Sequence, residues 1–526
     1  MHLSNCQPDS HKPALASNRQ RRGSLFAASV AMVASLVAST AAVPAGTKPA
    51  TPSESAGSTS GLQLAADPTG ILATLDVTGP VDESGAFFQS LGTNGRRCAT
   101  CHVAAQAMGL SVKDAQARFA ATAGQDPLFA PVDGANCPSG RPGSAADHSL
   151  LLRHGLIRIF LPVPANAQFT VSVVYDPYGC AMVPGPNGGA PIVSVYRRPL
   201  PTTNLHFLST IMFDGRETHA PLNNGQTFAA NLTADLTQQA LDAITIHAQA
   251  SEAPTSSQLA DIVGFELGLF SAQTRDEHAG SLRVDGALGG ARNLAAQTYY
   301  PGINDTLGGD PSGAAFNPVA MTLFSAWLNL SGDRDDPGEA NRDAARRAIA
   351  AGEQLFDSTP VHITNVRGLN DNAALGKPDT LTGTCTTCHD TPNVGNHSFP
   401  LPLDIGTSHS LLPGAESDPK IAAALAELSL PTVPVYLING CPNPFNPGEP
   451  ESFYTTDPGK ALVSGLCSDF NRGKGPVLRG LAARAPYFHN GTAADLRELV
   501  NFYNQRFQMG LTEEQKHDLI AFLNSL

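Results

Sequence analysis

One short motif constrains this chain more than anything else, because it occurs twice: Cys98-Ala-Thr-Cys101-His102 and Cys385-Thr-Thr-Cys388-His389. The chain has 9 Cys and 15 His in 526 residues. At that composition C-x-x-C-H would arise by chance roughly 0.004 times per chain. The spacing has a mechanical reason. Two thiols three positions apart at the start of a helix can each form a thioether to one haem vinyl group. The adjacent imidazole then lies under the iron. A four-ligand zinc site could use two C-x-x-C pairs but would not need His after both. A thioredoxin-like dithiol would want a βαβ context, which the sequence lacks. The expectation is two covalently bound c-type haems, one on Cys98 and Cys101 and one on Cys385 and Cys388. His102 and His389 are the expected proximal iron ligands.

Four further cysteines, Cys137, Cys180, Cys441 and Cys467, lie in Pro/Gly-rich stretches, one pair after each motif. In an oxidising compartment local pairs Cys137–Cys180 and Cys441–Cys467 are expected to staple long loops. The N-terminus points to such a compartment. Arg19, Arg21 and Arg22 precede an apolar run from Leu25 to Val37, and small residues follow at Ala41, Ala42 and Ala45. This pattern reads as an export signal over residues 1–45, with a Ser/Thr/Pro/Gly-rich linker over 46–78. A periplasmic protein is expected, with no membrane partner once the signal is removed.

Composition narrows the class. An apolar fraction of 42% against 15% charged residues excludes a disordered chain, and 49 Gly with 41 Pro imply many turns. A net charge of −13 argues against nucleic acid as a partner.

The chain divides near residue 335, in the polar stretch Gly332-Asp-Arg-Asp-Asp-Pro-Gly338. Two cytochrome c-like haem domains are expected, over 79–334 and 335–526. Ser84–Gly92 and Arg346–Phe356 each read as the N-terminal helix of such a domain. Thr512 and Gln515 read as a capping box for a closing amphipathic helix with Leu519, Ile520, Leu523 and Leu526 on one stripe. Residues 157–161, 169–175 and 192–196 are rich in β-branched side chains and predict a small β insertion after the first haem motif. The expected fold is mainly α, with long loops and that insertion.

Two more segments carry a family resemblance: Phe207-Leu-Ser-Thr-Ile-Met-Phe-Asp-Gly-Arg-Glu217 and Gly475-Pro-Val-Leu-Arg-Gly-Leu-Ala-Ala-Arg-Ala-Pro-Tyr-Phe-His-Asn-Gly491. With the ordered haem motifs, they resemble the bacterial di-haem cytochrome c peroxidase family, which includes MauG. The resemblance covers roughly residues 80–526. It implies that the first haem reacts with hydrogen peroxide or another small oxidant. The second, six-coordinate haem passes it electrons from a small redox protein.

The resemblance also assigns residues. Phe213 stands where the family has a bridging Trp. Gln239-Ala-Leu-Asp-Ala-Ile244 fits the family's Q-A-x-G-P-I pattern, which puts Gln249 at the position of the distal acid. Gln cannot move the proton, so His247 is a candidate acid/base; a solvated histidine and a distal ligand that closes the iron stay open for it. Arg479 is a candidate partner for a haem propionate, and His489 a candidate structural or propionate-bonding residue. Counting fourteen positions from His489 gives Tyr503 as candidate sixth ligand of the second haem; a core role for Tyr503 and ligation by Met509 remain open. A calcium ion near the A-P-Y-F-H segment is a further possibility that the resemblance implies. Two other functions stay open: a di-haem electron carrier without peroxidase activity, and a MauG-like oxidase or oxygenase of a larger substrate.

Overall fold

In the computed structural model of the chain, residues 61–220, 227–331, 336–395, 401–411, 418–442 and 450–526 are described. The expected export signal therefore lies outside the described residues, as does Cys6.

The longest helix, Pro337–Ser358, starts where the sequence supplies the right ends. Asp336 Oδ1 accepts from the Gly338 N–H at 2.9 Å, and Pro337 sits in the first turn, where no N–H is needed. Its apolar face, with Ile349, Ala350 and Phe356, packs on Leu519, Phe522 and Leu523 of the closing helix Glu513–Asn524. Thr512 and Gln515 cap that helix reciprocally, at 3.2 and 2.9 Å. The two helices meet at Gly352, where a Cβ would stand 2.0 Å from the Asp518 carbonyl oxygen. Any side chain there would force them apart.

The mainly α expectation is overturned. Among the described residues twelve strands form four sheets. Leu62–Asp67 and Gly70–Asp76 form an antiparallel hairpin, extended by Leu269–Asp276 and Gly280–Ser281. That hairpin occupies part of the expected 46–78 linker; residues 1–60 are outside the description. Strand Leu269–Asp276 escaped the sequence reading for a physical reason. It follows directly on the helix Ser256–Gly268, and its first five residues are buried without alternation, so no period of two marks it. Ser84–Gly92 also differs from expectation: it holds only a 3-10 turn, Ala86–Phe88, between Gly85 and Gly92.

The expected β insertion splits between two sheets. Ile157–Pro162 pairs with Ile192–Arg197, which also pairs with Met182–Val183. Thr170–Tyr175 pairs instead with Val435–Pro442, which in turn pairs with Pro450–Thr455. This sheet joins the two halves of the sequence. So does the largest core cluster, where Leu282 and Trp327 pack with Ile349 and Phe522. Both expected disulfides, Cys137–Cys180 and Cys441–Cys467, are formed. No helix among the described residues is long and apolar enough to cross a membrane.

Candidate functional site

The two C-x-x-C-H motifs fold into the same local device. Each is a 3-10 turn, Cys98–Thr100 or Cys385–Thr387, rather than the opening of an α-helix. Thr100 Oγ1 accepts from the Arg97 N–H at 3.0 Å, and Thr387 Oγ1 from the Thr384 N–H at 2.9 Å. The His102 and His389 amides donate to the carbonyls of Cys98 and Cys385 at 3.0 and 2.9 Å. This winds both thiols and the imidazole toward one side. A phenylalanine flanks each imidazole at matching geometry: Phe87 lies 6.4 Å from His102 at 47°, and Phe356 lies 6.2 Å from His389 at 48°.

Each motif faces a cavity whose empty space, counted with the solvent at its open mouth, is about 1260 Å³ at the first and about 860 Å³ at the second. None of the four motif cysteines is in a disulfide, whereas the other four described cysteines are paired. Burial pushes the thiols of Cys385 and Cys388 up to about 12, and that of Cys98 higher still. His102 Nδ1 lies 3.1 Å from the Met108 carbonyl oxygen, to which it can donate, leaving Nε2 for a metal. Burial pulls the His102 pKa down to about 4, so the imidazole is neutral, as ligation requires. Two thiols and an imidazole in the wall of each cavity therefore fit a covalently held haem.

The first cavity is walled by charge. His247, at the C-terminal end of the helix Phe228–Ile246, lines it, and its Nδ1 bonds the Asp133 carboxylate. Asp133 is 1% exposed and also bonds Arg96. Burial raises the Asp133 pKa, but the Arg96 guanidinium and His247 outweigh it and hold the carboxyl below its usual range. Arg96 is in turn fixed by the carbonyls of Pro127 and Leu128, at 2.8 and 2.9 Å. On another wall Phe213 stacks on His489, centroids 4.4 Å apart and planes at 9°. His489 Nε2 lies 3.2 Å from Ser408 Oγ, and burial lowers its pKa to about 4. Arg197 anchors this wall to both halves of the chain. It bonds Asp214 and reaches Asp457 at 2.6 and 2.8 Å. Glu266 completes the lining. Thr202 Oγ1 donates to its Oε1 at 2.8 Å, its Oε2 has no partner, and burial raises its pKa to about 7.

The second cavity is walled by apolar side chains. Val361, Ile363, Leu403, Leu499, Val500 and Leu523 surround Cys385, Cys388 and His389. Tyr503, on the helix Leu496–Arg506, and Met509 both line it. The Tyr503 ring lies 6.2 Å from that of His389, and burial keeps its phenol protonated. Both candidate sixth ligands are thus at hand.

Two sequence assignments fall elsewhere. Gln249 is not among the residues that line the first cavity. It sits at φ 55°, and its Oε1 accepts from Asn94 Nδ2 at 3.2 Å. Arg479 lines neither cavity; its guanidinium donates twice to the Pro392 carbonyl oxygen, at 3.0 and 2.6 Å. Asp133, Arg96, Arg198 and Glu266 line the first cavity and were not singled out by sequence. Asp133 lies in a turn-rich stretch 114 residues before His247, and nothing local marks it. Among the described residues no group of three or more His, Cys, Asp or Glu is placed to hold a metal ion.

No family model matches the chain. Among curated proteins, a stretch of 98 residues is 36% identical to the cytochrome-c peroxidase IdrP2 of Denitromonas iodatirespirans, covering 17% of this chain and 25% of that protein. A stretch of 69 residues is 38% identical to the cytochrome-c peroxidase IdrP1 of the same organism, covering 11% and 18%. The chain thus spans a quarter or less of the length of these relatives. Among solved structures, a Kuenenia stuttgartiensis hydrazine synthase pressurised with xenon aligns over 79% of this chain and 93% of its own. Its identity is 14% and its TM-score 0.30, a value at which the likeness says nothing of fold or activity. Over the matched stretches, this chain is similar to cytochrome-c peroxidases.

Proposed function

We propose that the chain is an exported, periplasmic di-haem c-type oxidoreductase that reduces hydrogen peroxide to water. The first cavity is the reacting site and the second the electron relay. The observation that carries this reading is the His247–Asp133 pair in the wall of the cavity that also holds Cys98, Cys101 and His102. The partial similarity to cytochrome-c peroxidases supports the same class of reaction.

Hydrogen peroxide plus two electrons and two protons gives two water molecules. When bound, the haems supply the redox-active iron that accepts electrons from a small redox protein and delivers them to the oxidant. The chain's own residues handle protons and solvent. Asp133, kept ionised by Arg96, accepts the Nδ1–H of His247 and so fixes the imidazole tautomer. Nε2 can then take a proton from one peroxide oxygen and return it to the other. The aliphatic wall of the second cavity excludes water, which limits the rearrangement that accompanies electron transfer.

The test is steady-state peroxide consumption by the holoprotein with a reduced cytochrome as donor. His247→Gln should lower kcat by about 10²–10⁴, the range for loss of a general acid–base group. Absence of peroxide turnover in both the oxidised and half-reduced wild type would refute the reading.

A further inference from the structure

The first cavity has one cation too many. Five arginines line it: Arg96, Arg97, Arg197, Arg198 and Arg216. Arg96 is paired with Asp133, Arg197 with Asp214 and Asp457, and Arg216 with Asp214. Arg97 is exposed and water can solvate it. Arg198 is different. It is partly buried, and every group its guanidinium is seen to meet is a neutral carbonyl: Leu110, Arg484 at 2.8 Å and His154 at 3.4 Å. Among the described residues no carboxylate forms an ion pair with it. Its neighbour makes matters worse. Arg484 likewise donates only to carbonyls, of Gly480, Val477 and Arg479. Burial, followed by the proximity of Arg484, pulls the Arg198 pKa down to about 9.

Carbonyl dipoles alone compensate a desolvated guanidinium poorly; a buried charge ordinarily has a counter-charge. Of these two arginines, only Arg198 lines the cavity. Nη2 is committed to the carbonyls of Leu110 and Arg484, which leaves Nε–H and Nη1 to donate charge-assisted hydrogen bonds to a carboxylate. We infer that Arg198 receives a carboxylate in the first cavity, and that this carboxylate is a propionate of the haem held by Cys98 and Cys101. This rests on the haem reading proposed above. A resident haem brings its propionates into every loaded molecule at fixed stoichiometry, which suits a cation fixed in the cavity wall. Arg198 takes the role that Arg479 held on sequence grounds, because Arg479 is occupied by Pro392 and lines neither cavity. Arg198 also ties the site to the second half of the chain: its N–H donates to the His489 carbonyl at 2.7 Å, and its guanidinium to that of Arg484.

The experiment compares wild-type holoprotein with Arg198→Gln, Arg198→Lys and Arg479→Gln. The readouts are covalent haem content, resonance Raman propionate-bending modes, and midpoint potentials from spectroelectrochemistry. Arg198→Gln should shift the propionate mode of one haem and lower the potential of the first haem, because a positive charge beside it is lost. Arg198→Lys, which keeps the charge but not the placement of the guanidinium donors, should shift the mode while retaining most of the potential. Arg479→Gln should leave both first-haem readouts unchanged. Unaltered propionate modes and potential in Arg198→Gln at full haem content would overturn the inference. So would an acetate-dependent, saturable change in the wild-type spectrum that Arg198→Gln abolishes, since Arg198 would then serve a free anion. A wild-type protein without covalent haem on Cys98 and Cys101 would refute the proposed function, and this inference with it.

Discussion

The two cavities begin alike and end differently. Each is opened by the same 3-10 turn, presents two thiols and an imidazole, and sets a phenylalanine beside that imidazole at nearly the same distance and angle. Beyond that turn the walls diverge. The first is lined by arginines, Asp133, His247, Glu266 and His489; the second mainly by aliphatic and aromatic residues, with no Asp, Glu, Lys or Arg among them. The attachment motif thus fixes where a cofactor is held, and the walls decide what it can do. A wall that stores and moves protons suits chemistry on a small oxidant. An apolar wall suits electron transfer with little rearrangement.

The comparison can be broken most directly by removing the second site. Replacing Cys385 and Cys388 with Ala should leave the first haem attached and reduce donor-driven peroxide turnover to background, as read by haem stoichiometry and a coupled assay. Turnover at the wild-type rate would mean that the second cavity is no relay. A smaller effect is expected for Asp133→Asn, which keeps His247 but weakens the contact that orients it. A fall of about 10–100-fold in kcat is expected, the size seen when the residues that orient ligands are lost, with KM for peroxide little changed. An equal fall in the binding of the protein donor would instead indicate a structural role.

The smallest effect concerns Glu266. Burial raises its pKa from the ordinary 4.5 of a glutamate to about 7. A raised carboxyl favours the folded state when protonated. Its contribution is therefore full below about pH 4.5, is lost as pH rises through the window to about 7, and is constant above. Glu266→Gln removes this dependence. At pH 8 the variant should exceed the wild type by on the order of 2–3 kcal/mol, with little difference at pH 4. Thermal unfolding at the two pH values checks this; parallel shifts at both would show that the carboxyl does not titrate in the folded protein.

What could be read from sequence was what is local in sequence. The haem turns, the Thr512–Gln515 cap and the cysteine pairs each depend on residues close along the chain or on a short list of candidates. The walls depend on distant residues. Asp133 reaches His247 across 114 residues, and its own stretch, Val132-Asp-Gly-Ala, reads as a turn. Gln249 was placed by counting along a family pattern, which assumes an unchanged loop. The chain instead turns at Gln249 through φ 55° and leaves that side chain on Asn94. A strand was missed where it is buried along its first five residues, as in Leu269–Asp276; Thr170–Tyr175 was expected as a strand, but its partner Val435–Pro442 lies far along the chain and was not.

If the two similar turns hold haems in unlike surroundings, as proposed, the two irons should differ in spin state. Electron paramagnetic resonance of the oxidised holoprotein tests it most directly. The account predicts one high-spin ferric haem, at Cys98–His102, and one low-spin haem, at Cys385–His389, whose signal changes in Tyr503→Phe or in Met509→Leu. Two low-spin haems that neither bind cyanide nor react with peroxide would contradict it.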